Sequence, residues 1–291
     1  MGKKEGEQML YVSQTLTEPH LFTSGIEGPA CDKHGNLYAV NYARRHTIGK
    51  VTPEGVCSLF LDLPAGATGN AIRFDRGHMF IADYTGHRIL RVDMETLHIH
   101  TFAEQPAMNQ PNDLAVTMNG MWFASDPNWK QSNGMLWRID QYGKSTMLEA
   151  GMGTTNGIEV SYDERSLYVN ETVQRRIWQY DFTSGYDVCN KRLFYEFTDY
   201  GLDGMRCDMG GNVYVTRYGK GTIAVLSPQG ELVREVALNG KLCTNVTFGG
   251  ADGRTCYVTM ADTGTIESFR TDTPGRCWAL WNDNHGRSGE N

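Results

Sequence analysis

The sequence predicts an all-β fold, a six-bladed β-propeller, and three observations carry that expectation. Short runs of alternating apolar and polar residues dominate, such as GNLYAVNY, RILRVD, GNVYVTRY and GTIAVL, each bounded by Gly, Asn or Asp. Glycine and tyrosine are abundant (33 and 14), proline is not (9), and no long helical periodicity interrupts the runs. The strand pairs also repeat. Their first strands read GIEGPACD from Gly25, TGNAIRFD from Thr68, QPNDLAVT from Gln110, TTNGIEVS from Thr154, GLDGMRCD from Gly201 and CTNVTFGG from Cys243. The third residues of these six copies, Glu27, Asn70, Asn112, Asn156, Asp203 and Asn245, stand 43, 42, 44, 47 and 42 residues apart. A period in the forties with about four strands per repeat is the signature of propeller blades.

The second strands of the six copies read NLYAVN, HMFIAD, MWFASD, SLYVNE, NVYVTR and TCYVTM. Third strands follow as RILRVD, MLWRID, RIWQYD, TIAVLS and TIESFR. The last copy ends near RCWALW, so its outermost strand is expected from the N-terminal stretch TEPHLFTS, which would tie the chain ends together. The expected organisation is one domain over 1–291, with a core of about 20–280 and loose tails at 1 to about 9 and 284–291.

A formal charge of −7 argues against a nucleic-acid surface. No run of about 18 apolar residues predicts a membrane helix. The opening MGKKEGEQMLYVSQ has no apolar stretch behind its charges, so no signal peptide is expected, and Gly6 fails the myristoylation pattern. Seven cysteines occur without a Cys-x-x-Cys pair and read as buried, reduced thiols of a cytoplasmic protein. Asn170 and Asn245 match the glycosylation pattern, by chance in such a protein.

Chemistry enters at the starts of the first strands. Apolar residues follow two and four places after the marked residue in most copies: Ile72 and Phe74, Leu114 and Val116, Ile158 and Val160, Met205 and Cys207. The sixth copy departs, with Val246 and Phe248 apolar instead, which leaves the aim of Asn245 open. A propeller gathers the starts of its innermost strands at one end of its axis. Six oxygen-bearing side chains, two of them carboxylates, would converge there. Such a set suits Ca2+ or Mg2+ rather than zinc, which prefers His and Cys. A single Asn or Asp at a strand start is ordinary turn chemistry, but six at one register exceed it.

The second-to-third turns would share that face and carry Asn41, Asp83, Asp126, Glu171 and Arg217, read mostly as solvated turn residues. One of these turns is five residues longer than its counterpart, within DPNWKQSNG, which reads equally as a wall or lid beside the mouth carrying Trp129 and as a plain surface insertion. His98 and His100, in HIH, read as an edge-strand pair rather than a metal site. No nucleophile elbow, phosphate loop or dinucleotide fingerprint occurs.

The segments GIEGPACDKHGNLY, QPNDLAVTMNGMWFASDP, TNGIEVSYDERSLYVNETVQRRIWQYD and GLDGMRCDMGGNVYVT resemble the gluconolactonase, senescence marker protein (regucalcin) and luciferin-regenerating enzyme family, over about residues 20–280. The resemblance implies a six-bladed propeller with one divalent metal in its channel. The implied cofactor is Ca2+ first, with Mg2+, Mn2+ or Zn2+ as alternatives. The implied metal ligands are Glu27, Asn112, Asn156 and Asp203, with Asn70 and Asn245 at the mouth. It implies a metal-dependent lactonase that opens a sugar-type lactone, with Asp203 as catalytic base. Gln110 stands where animal-type sugar lactonases carry Arg, with Met108 nearby, which leaves room for a less polar lactone. Gln110, Asn70, Met108, Asp126 and Trp129 are the substrate-binding candidates. The alternatives are a phosphotriesterase-like hydrolase on the same site and a non-catalytic calcium-binding propeller. The expected partner is a small-molecule lactone, with no nucleic acid and no membrane, in a cytoplasmic monomer or small homo-oligomer.

Overall fold

Six four-stranded antiparallel sheets follow one another along the chain in the computed structural model, which describes residues 9–283. Blade 1 begins with Phe22–Cys31, blade 2 with Gly69–Asp75, blade 3 with Leu114–Val116, blade 4 with Thr155–Val160, blade 5 with Met205–Cys207 and blade 6 with Cys243–Gly249. These first strands pack against one another in succession, and that of blade 6 packs against that of blade 1, so the ring closes.

Closure differs in detail from expectation. The fourth strand of blade 6 is Gln14–Thr15, paired with Thr265–Arg270, just upstream of the TEPHLFTS stretch. Residues of that stretch instead lead into blade 1, whose first strand starts at Phe22. The RCWALW segment forms a helix, α1 (Arg276–Asp283), which the strand-dominated pattern concealed. The loose tails expected at 1 to about 9 and at 284–291 lie outside the described residues, apart from residue 9.

The core is divided by the architecture. Six clusters of buried apolar side chains fill the six gaps between neighbouring blades. Aromatic rings bridge several gaps: Tyr38 meets Phe74 at 5.3 Å, Phe80 meets Trp122 at 4.1 Å, Phe123 meets Phe182 at 4.9 Å and Tyr214 meets Phe248 at 4.9 Å. A buried aromatic removes a large apolar area from water, so each gap helps to hold its two blades together. Among the described residues no helix is long and apolar enough to cross a membrane.

Candidate functional site

Local backbone geometry aims the six marked residues at the axis. In blades 1, 2, 4 and 6 the ladder between first and second strands slips at the marked residue: around Glu27, and across Gly69/Ile72, Thr155/Ile158 and Cys243/Val246. In blades 3 and 5 the pairing starts only at Leu114 and Met205, two residues beyond Asn112 and Asp203. A slip of this kind breaks the alternation of side chains and re-aims one of them. Gly28 makes the first slip possible. Its φ of +55° and its close approach to the Asn70 carbonyl leave no room for a Cβ.

A second device fixes the position of each strand start. The polar residue ending the second strand of a blade ties down the chain entering the same blade. Asn41 donates to the Gly25 carbonyl at 2.6 Å, and Asp83 accepts from the Thr68 N–H at 2.9 Å. Asp126 accepts from the Asn109 and Gln110 N–H groups at 2.9 and 2.6 Å, and Glu171 from the Gly153 N–H at 2.7 Å. Arg217 donates to the Asp199 carbonyl at 2.6 Å. These five residues, whose sequence pattern suggests mostly solvated turns, are buried tethers.

The ring itself is stitched from blade to blade. The Asn70 amide donates to the Asn112 carbonyl at 3.1 Å, and Asn170 donates to the Asp203 carbonyl at 2.5 Å. The Gly204 N–H donates to the Thr244 carbonyl at 2.8 Å, and Asn245 donates to Glu27 Oε2 at 3.0 Å. Asn245, whose aim the sequence leaves open, therefore points inward and holds Glu27, as does the Gly28 N–H. Both glycosylation-pattern residues, Asn170 and Asn245, are buried and bonded within the channel.

Two features of the ring ask for a cation. Asn112 Oδ1 and Asn156 Oδ1 are buried and have no hydrogen-bond donor, although the Asn156 amide NH2 is occupied by Thr172 Oγ1 at 3.0 Å. A buried carbonyl oxygen without a donor is costly, and its normal remedy is a donor or a metal. Glu27 and Asp203 stand side by side. Burial, and Asp113 after it, push the Glu27 carboxyl up to about 7, while burial and then repulsion by Glu27 push that of Asp203 well above the carboxylate range. Two carboxylates and two amide oxygens form a hard oxygen set that fits Ca2+ or Mg2+ and lacks the His and Cys that zinc favours. Among the described residues no group of three or more His, Cys, Asp or Glu side chains is placed to hold a metal. A cation at the ring would thus depend on the amides as much as on the acids.

Of the five substrate-binding candidates, Gln110, Trp129 and Asn70 keep some exposure, whereas Met108 and Asp126 are buried. Gln110 and Trp129 come within reach of the Tyr84 phenol, a residue with no signal in the repeat pattern because it lies just beyond the second strand of blade 2. Trp129 is 39% exposed, on a loop whose Ser132 hydroxyl accepts from Gln174 of blade 4 at 2.8 Å. Asn70 is half-buried at the ring. Met108 is 2% exposed and packs in the core between blades 2 and 3, so it cannot touch a substrate at the mouth. Asp126 is fully buried, and its oxygens are taken by the two backbone N–H groups and by Trp137 Nε1 at 2.9 Å. It shapes the loop carrying Gln110 and is not free to bind. His98 and His100 touch each other at 2.9 Å on the outer edge of blade 2, remote from the ring.

The chain is similar to known proteins over most of its length. A family described as the SMP-30/gluconolactonase/LRE-like region matches residues 26–262. A gluconolactonase of Zymomonas mobilis is 27% identical, over 86% of this chain and 79% of its own. Regucalcin of Xenopus laevis is 30% identical, over 75% of this chain and 76% of its own. Among solved structures, a calcium-binding regucalcin of Agrobacterium tumefaciens superimposes with a TM-score of 0.79 at 21% identity, covering 91% of this chain and 95% of its own.

Proposed function

The chain belongs to the SMP-30/gluconolactonase/LRE-like family, and on that premise we propose that it is a divalent-metal-dependent lactonase that hydrolyses a sugar-type lactone to the hydroxy acid. The observation that carries the reading is the pairing of two crowded carboxylates, Glu27 and Asp203, with two buried amide oxygens, Asn112 and Asn156, that no donor satisfies. These four residues would hold the ion, Ca2+ first. A divalent ion there would supply Lewis-acid polarisation of the lactone carbonyl.

The chain's own residues supply the rest. With a cation at the ring Asp203 would be ionised; it takes a proton from the water that attacks the lactone carbonyl and returns it to the lactone ring oxygen as the acyl C–O bond breaks. Asn156, whose side chain interacts with Asp203, orients that carboxylate. Tyr84, Gln110 and Trp129 form one wall of the entrance, with two ring faces and one amide. That mixture suits a lactone with both an apolar face and a hydroxyl better than a fully hydroxylated one. Related lactonases and a regucalcin named as calcium-binding support the activity and the ion respectively.

The test is hydrolysis of a lactone panel by chelator-stripped protein with single divalent ions added back. Turnover that returns with one ion and is abolished by Asp203→Ala supports the proposal. Saturable ion binding with no turnover of any lactone would replace it with a non-catalytic calcium-binding propeller. Turnover confined to phosphotriesters would reassign the chemistry.

A further inference from the structure

Behind the ring, on the side away from the mouth, the channel is filled by charge. Asp113, the residue after Asn112, is fully buried and accepts from Arg73 Nη2 at 2.6 Å and Arg206 Nη1 at 3.0 Å. Arg206 also approaches Glu159 at 3.9 Å. Glu159 in turn takes Arg276 Nη1 at 3.3 Å, and Arg276 Nη2 reaches Glu164 at 2.5 Å. Arg276 opens α1, which lies across the back of the channel. Cys277 packs on the core between blades 5 and 6, and Leu280 on the core between blades 2 and 3. The space left between these groups is about 30 Å3, room for a single water.

The network is balanced. Three carboxylates, Asp113, Glu159 and Glu164, face three guanidiniums, Arg73, Arg206 and Arg276. Buried pairs of this kind are seldom worth much in stability, so their presence on the axis calls for another role. Asp113 directly follows the ring residue Asn112, and its carboxylate is engaged by Arg73 and Arg206. We propose that this network sets the charge of the cation site: Arg73 and Arg206 pair with Asp113 and offset its charge, so that Glu27 and Asp203 supply most of the charge an ion would meet there, a match for a divalent ion. Arg276 completes the balance from α1. This rests on the reading of the ring as a cation site, and Asp113 and the arginines act as positioning residues without touching the ion.

The experiment is calorimetric binding of Ca2+, Mg2+ and Mn2+ in turn to the full-length, chelator-stripped protein, with folding checked by thermal melting. Asp113→Asn leaves one surplus positive charge behind the ring and should weaken binding at least about tenfold, because a unit charge within a few ångströms acts strongly in a poorly screened interior. Arg206→Gln and Arg276→Gln leave a surplus negative charge and should tighten it, Arg276→Gln less because it is the more distant. The doubles Asp113→Asn/Arg206→Gln and Asp113→Asn/Arg276→Gln restore neutrality and should bring affinity back towards that of the parent protein. A purely structural role predicts that every variant weakens binding and that the doubles are worst. A direct ligand role for Asp113 predicts loss without rescue. Either pattern overturns the proposal, as does an Asp113→Asn protein of unchanged affinity. Parent protein that binds none of the three ions would instead overturn the reading of the ring itself. If Arg206→Gln does not fold, the Arg276→Gln pair carries the test.

Discussion

Replacing Glu27 with Gln in the metal-stripped protein should make it more stable while removing its response to the ion. Glu27 is buried beside Asp203, and its carboxyl is pushed from its ordinary value of 4.5 to about 7 by burial first and by Asp113 next, against the pull of the Gly28 N–H, Asn245 and Arg206. That displacement corresponds to about 3 kcal/mol of penalty on the charged form at pH 8. The sign follows from proton uptake. Between 4.5 and about 7 the folded state holds a proton that the unfolded state has released, so the penalty is absent below 4.5 and grows as pH rises through the window. The uncharged Gln keeps an oxygen for the Gly28 and Asn245 donors, in weaker bonds, so the expected gain is about 1–2 kcal/mol. With an unfolding entropy of about 2.1 cal/mol/K per residue over 291 residues, this is a rise in Tm of about 2–3 °C. The parent protein, by contrast, should gain about 2.7 kcal/mol, or about 4 °C, from an ion at a hundred times its Kd. The assay is thermal melting at pH 4.5 and pH 8, with chelator or with excess Ca2+. A variant that melts below the parent in chelator at pH 8, or that keeps the full Ca2+ shift, refutes the reasoning.

Three other outcomes are expected. Asn112→Ala deletes an oxygen that nothing in the protein satisfies, so stability in chelator should change by no more than about 1 kcal/mol while calorimetry shows Ca2+ affinity falling at least about tenfold. Trp129→Ala removes an exposed ring that the proposed function sets in the entrance wall, not among the reacting groups, and should raise KM several-fold with kcat nearly unchanged, as steady-state kinetics on the preferred lactone would show. Gly28→Ala places a Cβ against the Asn70 carbonyl at a φ of +55°, so denaturant unfolding should reveal a loss of about 2–3 kcal/mol, together with weakened ion binding.

Much of the molecule is legible in its sequence because the propeller repeats a local code. Strand alternation, turn glycines and a period in the forties are properties of short segments, and six copies of one register make Glu27, Asn70, Asn112, Asn156, Asp203 and Asn245 stand out from ordinary turn residues. The ordering of the blades needs nothing more, since each first strand packs on the next. Three features are decided only in three dimensions. Whether Asp126 and Met108 face the mouth or the interior depends on which atoms the neighbouring backbone offers them, and both are claimed by their own loop and core. The closing strand of blade 6 is two residues long, too short to carry a pattern, and is set by where the ring leaves an open edge beside Thr265–Arg270. The charge behind the ring joins Arg73, Asp113, Glu159, Arg206 and Arg276, which are scattered over five segments of chain. Each is a polar residue whose own segment names no partner for it. Only ring closure brings them to a common axis, where the lack of water forces every charge to find a partner.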